Sequence, residues 1–413
     1  MEVTSDTLEV TSDMLFKLAL QIEAPLYISK YELSNDESEL DIYIDFQRGA
    51  KFACSECSAQ GLPVFSTAQK KWRHISFFQY KCTIHMRTPR TKCAQCGVRL
   101  WVPPWTRGSS SFTLLFELNV MKLAKEMPVA KIAEIVSEHD TRIWRIIKGY
   151  VERARELKCF AQVRKIGVDE TSTRKGHKYL TSVVCMDSRE VVFATEGRSA
   201  DTIHLFAKDL ALHGGCATNI VESVSDMSKA YISGVENYLP NASITFNRFH
   251  VMKALNTALD EVRRAEQPKN PLLKKSRYLW LKNPGNLTEK QQKTFETLRF
   301  EKLKTARVYQ KKLVFQDIYA TAKNAVEAAV LVKQWLSWAV RSRLEPVKKF
   351  AKMLKKHMQG VLRYFDTRLT TGLVEGMNSR IQEIKRRAKG FRNINNFIAM
   401  IYLEAGGLKF DFA

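Results

Sequence analysis

Eight cysteines occur in the 413 residues, and four of them fall into two pairs of equal spacing, Cys54-Ser-Glu-Cys57 and Cys93-Ala-Gln-Cys96. A C-x-x-C turn aims two thiolates at one point, so two such turns supply the four sulfurs of a tetrahedral zinc site. In a reducing compartment this spacing argues for one bound Zn²⁺ rather than disulfides. Four thiolates leave no open coordination position, so such a zinc is structural. The intervening stretch, FFQYKCTIHMRTP included, reads as a β-hairpin. Cys82 and His85 also stand three apart, but on a strand that spacing points them to opposite faces, which makes them poor joint ligands.

The second chemical pattern is acidic. In IGVDETSTRKGHKYLTSVV, residues 166–184, an apolar strand runs into Asp169 and Glu170, and TNIVESVSD ends on Asp226 in the same manner. If the two strands are neighbours, Asp169 and Asp226 converge at a sheet edge. Two such anions repel unless one takes up a proton or a cation sits between them. Carboxylates and water suit Mg²⁺ or Mn²⁺, and a pair of these ions about 3.5–4 Å apart can activate an attacking oxygen and stabilise a leaving one. The third carboxylate is expected from a helix packed beside the strands, and Glu375 is the candidate. It stands between Gly372 and Gly376 at the head of LVEGMNSRIQEIKRRAKGFRN, whose Lys385, Arg386 and Arg387 would face phosphate. Glu170 should face away from Asp169 as an outer-sphere or salt-bridging residue, and Lys229 and Tyr231 are expected on solvated surface, with a DNA contact as the alternative.

The elements that must position these groups follow from periodicity. Residues 14–53 read as a short helix and two strands, the second being LDIYIDF. PPWTRGSSS is a turn-rich link, FTLLFELNVMKLAKEM an amphipathic helix, and 129–136 a short helix followed by a four-residue turn. Asp140 then caps a helix carrying Arg142, Arg145 and Lys148, which is the geometry of a helix-turn-helix whose second helix enters the major groove. KIGVDE, KYLTSVVCMD and EVVFATEG are strands, followed by a helix, the strand ending at Asp226, a second helix and a fifth strand, ASITFNRFHV. This β-β-β-α-β-α-β order is that of a ribonuclease H-like core. Residues 253–366 are helical, basic and broken at PKNP and NPG, and fit only as an insertion. The tail reads as two helices with a break near Gly390.

Lys and Arg number 66 against 43 Asp and Glu, a net charge of +23. A surplus of that size calls for an anionic partner, and nucleic acid, which releases counterions on binding, fits better than an anionic membrane surface. No segment approaches the roughly 20 apolar residues of a membrane span, and MEVTSDTLEVTSD lacks the pattern of a secretory leader. A cytoplasmic, nucleoid-associated protein is expected. The fold class is multidomain α+β: a flexible end (1–13), a four-cysteine zinc-finger domain (14–105), a helix-turn-helix domain (106–160), the first part of the ribonuclease H-like core (161–252), the helical insertion (253–366), and C-terminal core helices carrying Glu375 (367–413).

GVDE with its R-K-G-H-K-Y, SDMSKAY, RFHVMK, QWLSWAVRSRL and above all VEGMNSRIQEIKRRAKGFRNINNF resemble the ISL-three family of bacterial insertion-sequence transposases. The resemblance covers nearly the whole chain. It implies a D-D-E transposase that binds terminal inverted repeats, cuts at the element ends and joins the 3′-hydroxyl to target DNA with two metal ions. Asp169, Asp226 and Glu375 match the family's triad by position, and a homodimer or larger assembly on double-stranded DNA is implied because two ends must be paired. The sequence departs from related transposases at Asn247, where an acid or cysteine precedes the Phe-His step; Asn supplies no charge. His250 is then a candidate auxiliary group on the fifth strand. The rival readings are an inactive transposase-derived DNA-binding regulator and a ribonuclease H-like nuclease acting on RNA or hybrids.

Overall fold

The computed structural model describes residues 16–17, 20–34, 38–174, 176, 178–246, 248–299, 303–369 and 372–411. Asn247, the stretch expected as a flexible N-terminal end and most of the short helix expected after it lie outside them. The chain forms two compact units, Met1–Glu152 with Lys409–Ala413, and Arg153–Leu408.

The first unit opens with β1 (Leu26–Ser34), β2 (Glu39–Phe46), β3 (Lys51–Phe52), β4 (Leu62–Arg73), β5 (Lys81–Cys93) and β6 (Gly97–Leu100), in the sheet order β1-β2-β5-β4-β3 with β6 on β5. β2 alternates along its whole length, and its inward residues Leu40, Ile42, Ile44 and Phe46 join the core, as a period of two requires of a half-buried strand. β4 pairs antiparallel with β5 from Val64–Thr91 to Arg73–Thr83. The spacer between the cysteine pairs is therefore a long hairpin. Cys82 is buried on one face of β5, while His85 on the other bonds Asp41 Oδ1 at 2.6 Å, so the two do point apart.

Three helices follow: α1 (Leu114–Glu126), α2 (Val129–Ile135) and α3 (Asp140–Glu156). Thr113 caps α1 by accepting from the Phe116 amide. The turn from α2 to α3 is anchored to the sheet by Arg73. Its buried guanidinium donates to the carbonyls of Cys82 (3.1 Å) and Val136 (3.3 Å) and lies 3.6 Å from the Glu138 carboxylate. A charge buried to this degree persists only where it is paired and hydrogen-bonded.

The second unit holds β7 (Lys165–Arg174), β8 (Lys178–Cys185), β9 (Val191–Glu196), β10 (Glu222–Ser225) and β11 (Ser243–Phe246), in the order β11-β10-β7-β8-β9. The first three strands are antiparallel; β10 runs parallel to β7, and β11 parallel to β10. Between β9 and β11 lie α4 (Asp201–Leu212) and α5 (Lys229–Tyr238). The expected element order is the observed one, with two differences. β7 continues past Asp169 because its hairpin with β8 extends to Arg174–Lys178, so Asp169 lies mid-strand rather than at a strand end. β11 stops at Phe246, and Phe249 and His250 open a helix, α6 (Arg248–Glu266), instead of continuing the fifth strand.

From α6 the chain is helical: α7 (Arg277–Leu281), α8 (Glu289–Arg299), α9 (Lys304–Thr321), α10 (Ala325–Val340), α11 (Glu345–Lys356) and α12 (Met358–Thr367). The breaks at Pro271 and Pro284 each begin a single 3₁₀ turn. These helices enclose a core of their own around Leu255, Trp280, Phe315, Trp335, Phe350 and Phe365. Lys312, buried within it, donates to the carbonyls of Trp280 (3.3 Å), Leu281 (2.6 Å) and Lys282 (3.4 Å), which end α7. The last elements are α13 (Gly372–Arg387) and α14 (Ile394–Ala405), separated by Gly390 at φ +95°. Among the described residues no helix is long and apolar enough to cross a membrane.

Candidate active site and metal centre

The four-cysteine cluster is built by two similar turns. Cys54 and Cys57 follow β3, Cys93 ends β5 and Cys96 precedes β6. Each turn closes on a left-handed residue, Ser58 at φ +58° and Gly97 at φ +74°. The four sulfurs all lie within 4.8 Å of one another, with Cys57 Sγ and Cys93 Sγ 3.6 Å apart. Backbone amides inside the turns favour thiolate: those of Cys96 and Gln95 hold Cys93 down to about 7, and those of Cys57 and Glu56 lower Cys54. Cys96, bonded to and repelled by the other sulfurs, is pushed up to about 12. Four sulfurs crowded together, with those of Cys54 and Cys93 held toward thiolate by backbone amides, fit a divalent cation.

The carboxylate site is assembled from distant segments. β7 and β10 pair as Lys165–Glu222, Ile166–Ser223 and Gly167–Val224. Carried two residues on, this register sets Asp169 opposite Asp226, one residue beyond the end of β10. Asp226 Oδ1 is held by the Ser228 amide at 2.9 Å, at the entry to α5. α13 lies along β7 because residue 167 is glycine: a Cβ there would come 2.4 Å from Val374 Cγ2. Gly167, Asp169 and Thr171 share one face of the strand, and that face meets α13. Asn378 Nδ2 donates to Asp169 Oδ2, and Thr171 Oγ1 lies 3.2 Å from Asn378 Oδ1. Glu375 is one helical turn before Asn378, and so on the same side of α13.

The electrostatics carry the same arrangement. Asp169 is raised to about 6, first by burial and then by the charges of Asp226, Glu170 and Glu375, against the lowering effect of the Glu170 amide bonded to Oδ1. His250 on α6 is lowered by burial, with Asp226 and Glu375 acting the other way and Lys253 adding to the lowering. Two elements thus sense both Asp226 and Glu375. The three carboxylates are not drawn as tightly as the cysteines, which among the described residues form the cluster with all ligand atoms within 4.8 Å.

Glu170 lies 3.9 Å from Arg198, a salt-bridging position. Tyr231 departs from the expectation of solvated surface: it is buried, with its hydroxyl 2.9 Å from Thr181 Oγ1. It lies on the α5 face that covers the sheet, which apolar spacing could have indicated. Asn378 and Gly167 were not singled out from the sequence, although Asn378 follows Glu375 at helical spacing and Gly167 precedes Asp169 at strand spacing.

The basic residues divide. On α3, Arg142 is engaged within its own unit, bonding Glu138 and Ser111 (3.0 Å) with its guanidinium 4.3 Å from the Phe112 ring. Arg145 is exposed and Lys148 half-exposed on the same helix. On α13, Lys385 donates to the Ser172 carbonyl at 2.8 Å and Arg387 pairs with Glu404, while Arg386 is exposed.

Comparison with known families places the protein among transposases that carry a DNA-binding helix-turn-helix domain. Residues 166–401 match a family model described as a transposase, and residues 102–151 match the helix-turn-helix domain of transposase family ISL3. The chain belongs to transposase family ISL3. It is 28% identical over 362 residues, 84% of this chain and 87% of the relative, to the transposase for insertion sequence element IS1001 of Bordetella parapertussis. It is 27% identical over 372 residues, 82% of each chain, to the transposase for insertion sequence element IS1557 of Mycobacterium tuberculosis.

Proposed function

We propose that the protein cuts DNA at the ends of its insertion sequence and joins the freed 3′-hydroxyl to target DNA on a ribonuclease H-like core, by two-metal-ion phosphoryl transfer. The observation that carries this reading is the β7–β10 register, which sets Asp169 across from Asp226 with α13 and its Glu375 laid alongside. The strand order with an antiparallel β8 and parallel β10 and β11 supports the core assignment. Asp169, Asp226 and Glu375 would hold two Mg²⁺ or Mn²⁺ ions, and their crowding, which raises Asp169 to about 6, is the conflict a divalent cation relieves. When bound, the ions supply Lewis acidity to the scissile phosphate and lower the pKa of the attacking water.

The chain's own residues position these groups. Asn378 fixes one oxygen of Asp169, the Ser228 amide fixes Asp226, and Gly167 sets the approach of α13. His250 is the auxiliary candidate, reaching the site from the first turn of α6. Arg145 and Lys148 are the groups best placed on α3 to meet DNA, with Arg142 serving the helix-turn-helix turn itself. Arg386 on α13 is open to a phosphate, and Lys385 and Arg387 add positive charge beside it. One zinc on Cys54, Cys57, Cys93 and Cys96 would be structural, and two copies of the chain would pair the two inverted repeats.

The test is a strand-transfer assay with end-sequence DNA and Mg²⁺. Joining should vanish in Asp169→Ala while binding of the end DNA is retained. Joining at the wild-type rate in that variant would remove the catalytic reading and leave a DNA-binding regulator.

A further inference from the structure

Beside the acidic residues, α6 borders a cavity of about 420 Å³ lined in part by Phe249, Lys253, Asn256, Arg264 and Arg277. Phe249 is a large aromatic side chain 52% exposed in the first turn of the helix. Arg264 and Arg277 have side chains 63% and 55% exposed, yet both are held from behind by the buried carboxylate of Asp260, at 3.4 and 3.5 Å. Asp260 also binds the buried Arg263 at 2.8 Å, so one acid orients three guanidiniums while two of them present outward faces. Asn256 Oδ1, on the same wall, is buried with no hydrogen-bond partner among the described residues.

An exposed ring, pre-oriented guanidiniums and an unsatisfied amide are together what an unstacked nucleotide requires: a π-face for the base, cations for the phosphates and a polar group for the base edge. The position in the fold agrees. Phe249 adjoins His250, which senses Asp226 and Glu375, and Lys253, which lines the cavity, acts on Glu170. A strand leaving the acidic site along α6 therefore meets Phe249 first and Arg264 about four turns later, where Arg277 at the start of α7 shares Asp260 with it.

We infer that this cavity is a binding site for single-stranded DNA, in which an unpaired nucleotide next to the scissile phosphate stacks on Phe249 while its backbone runs toward Arg264 and Arg277. The inference rests on the phosphoryl-transfer reading above for what lies beside the groove. Duplex DNA cannot present a base face to Phe249 without unstacking it, so the site favours ends that are frayed, tailed or opened during cutting.

The probe is a short duplex carrying a 3′ thymidine tail with 2-aminopurine at the junction, compared with the same duplex blunt-ended. The full-length protein binds each without added magnesium, so no cleavage is involved and the outcome is independent of the strand-transfer assay. The wild-type protein is expected to quench the 2-aminopurine and to bind the tailed duplex more tightly. Phe249→Ala should lose the quench and weaken tailed binding roughly five- to a hundredfold, leaving blunt binding within about twofold, and Phe249→Trp should restore both. Arg277→Ala should weaken tailed binding and lower the slope of its salt dependence by about one. Unchanged quench and affinity in Phe249→Ala, with its far-ultraviolet circular dichroism unchanged, would overturn the inference. Equal or tighter binding of a ribonucleotide tail would overturn the DNA assignment.

Discussion

The two candidate metal centres are made in opposite ways. The cysteine site needs two short turns, each of which points its own pair of sulfurs, and a hairpin that brings the turns together; its sulfurs lie within 4.8 Å of one another. The carboxylate site draws Asp169, Asp226 and Glu375 from β7, the end of β10 and α13, and its oxygens remain more widely spaced. A centre of the first kind is specified by local backbone geometry and serves to hold the chain. One of the second kind stays looser and polar, and is held by neighbours such as Asn378 and Ser228 rather than by its own ligands. That contrast is what would be expected between a site that binds an ion permanently and one that must admit substrate.

The comparison is broken most sharply by removing one ligand from each site. Asp169→Ala should lower strand transfer by about a thousandfold or more, with the thermal midpoint nearly unchanged or raised. Cys93→Ser should do the reverse: elemental analysis should fall from about one zinc per chain to none, and the first unit should lose several kcal/mol of stability and melt at a lower temperature, read by differential scanning calorimetry. If Cys93→Ser left the metal content and the melting curve intact, the cysteine cluster would be a set of free thiols.

Gly167→Ala tests the tertiary origin of the acidic site. The added methyl would sit 2.4 Å from Val374 Cγ2 and push α13 off β7. An expected cost of roughly 1–3 kcal/mol should come with a larger loss of strand transfer than of DNA binding. Combining it with Val374→Ala should recover both, and failure of that rescue would show that α13 is not positioned through this contact.

The remaining effect is a pH dependence of stability. Burial and acidic neighbours raise Asp169 to about 6, above its unfolded value, so folding favours its protonated form. Stability from this group is present in full below the unfolded carboxylate pKa and is lost as pH rises through about 6. Asp169→Asn has no such loss. Without added divalent ion, the variant should match the wild-type protein near pH 4 and exceed it by about 3 kcal/mol near pH 7.5, the scale of a two-unit shift, measured by urea denaturation. A difference that shrank as pH rose would contradict the crowding of the three carboxylates.

How far each site was legible follows from how far apart its parts lie. The C-x-x-C spacing names all four sulfurs without any knowledge of the fold. The alternation in ELDIYIDF and the helical spacing of 114–126 were equally plain, since both reflect burial along one element. Asp169 could be picked out as an acid on an apolar strand, but its place in mid-strand could not, because the β7–β8 hairpin overruns the end of β10 and only pairing reveals that. His250 was expected on a strand because the apolar run ASITF continues into Phe249; the helix that starts at Arg248 wins through the packing of Val251, Leu255 and Leu259 in the helical core. Asn378 carries no signal of its own, as an amide in a polar helix turn is ordinary until a carboxylate is found opposite it.

The amino-acid sequence by itself determined the order of most elements, the cysteine turns and the excess of positive charge, because propensity, periodicity and ligand spacing act over a few residues. The tertiary structure decided which acids face each other, which arginines are committed to ion pairs and which remain exposed, and where a cavity opens beside α6. Those outcomes depend on strand register and on one helix approaching one glycine, and such contacts join residues some 200 positions apart, as Asn378 and Asp169 are.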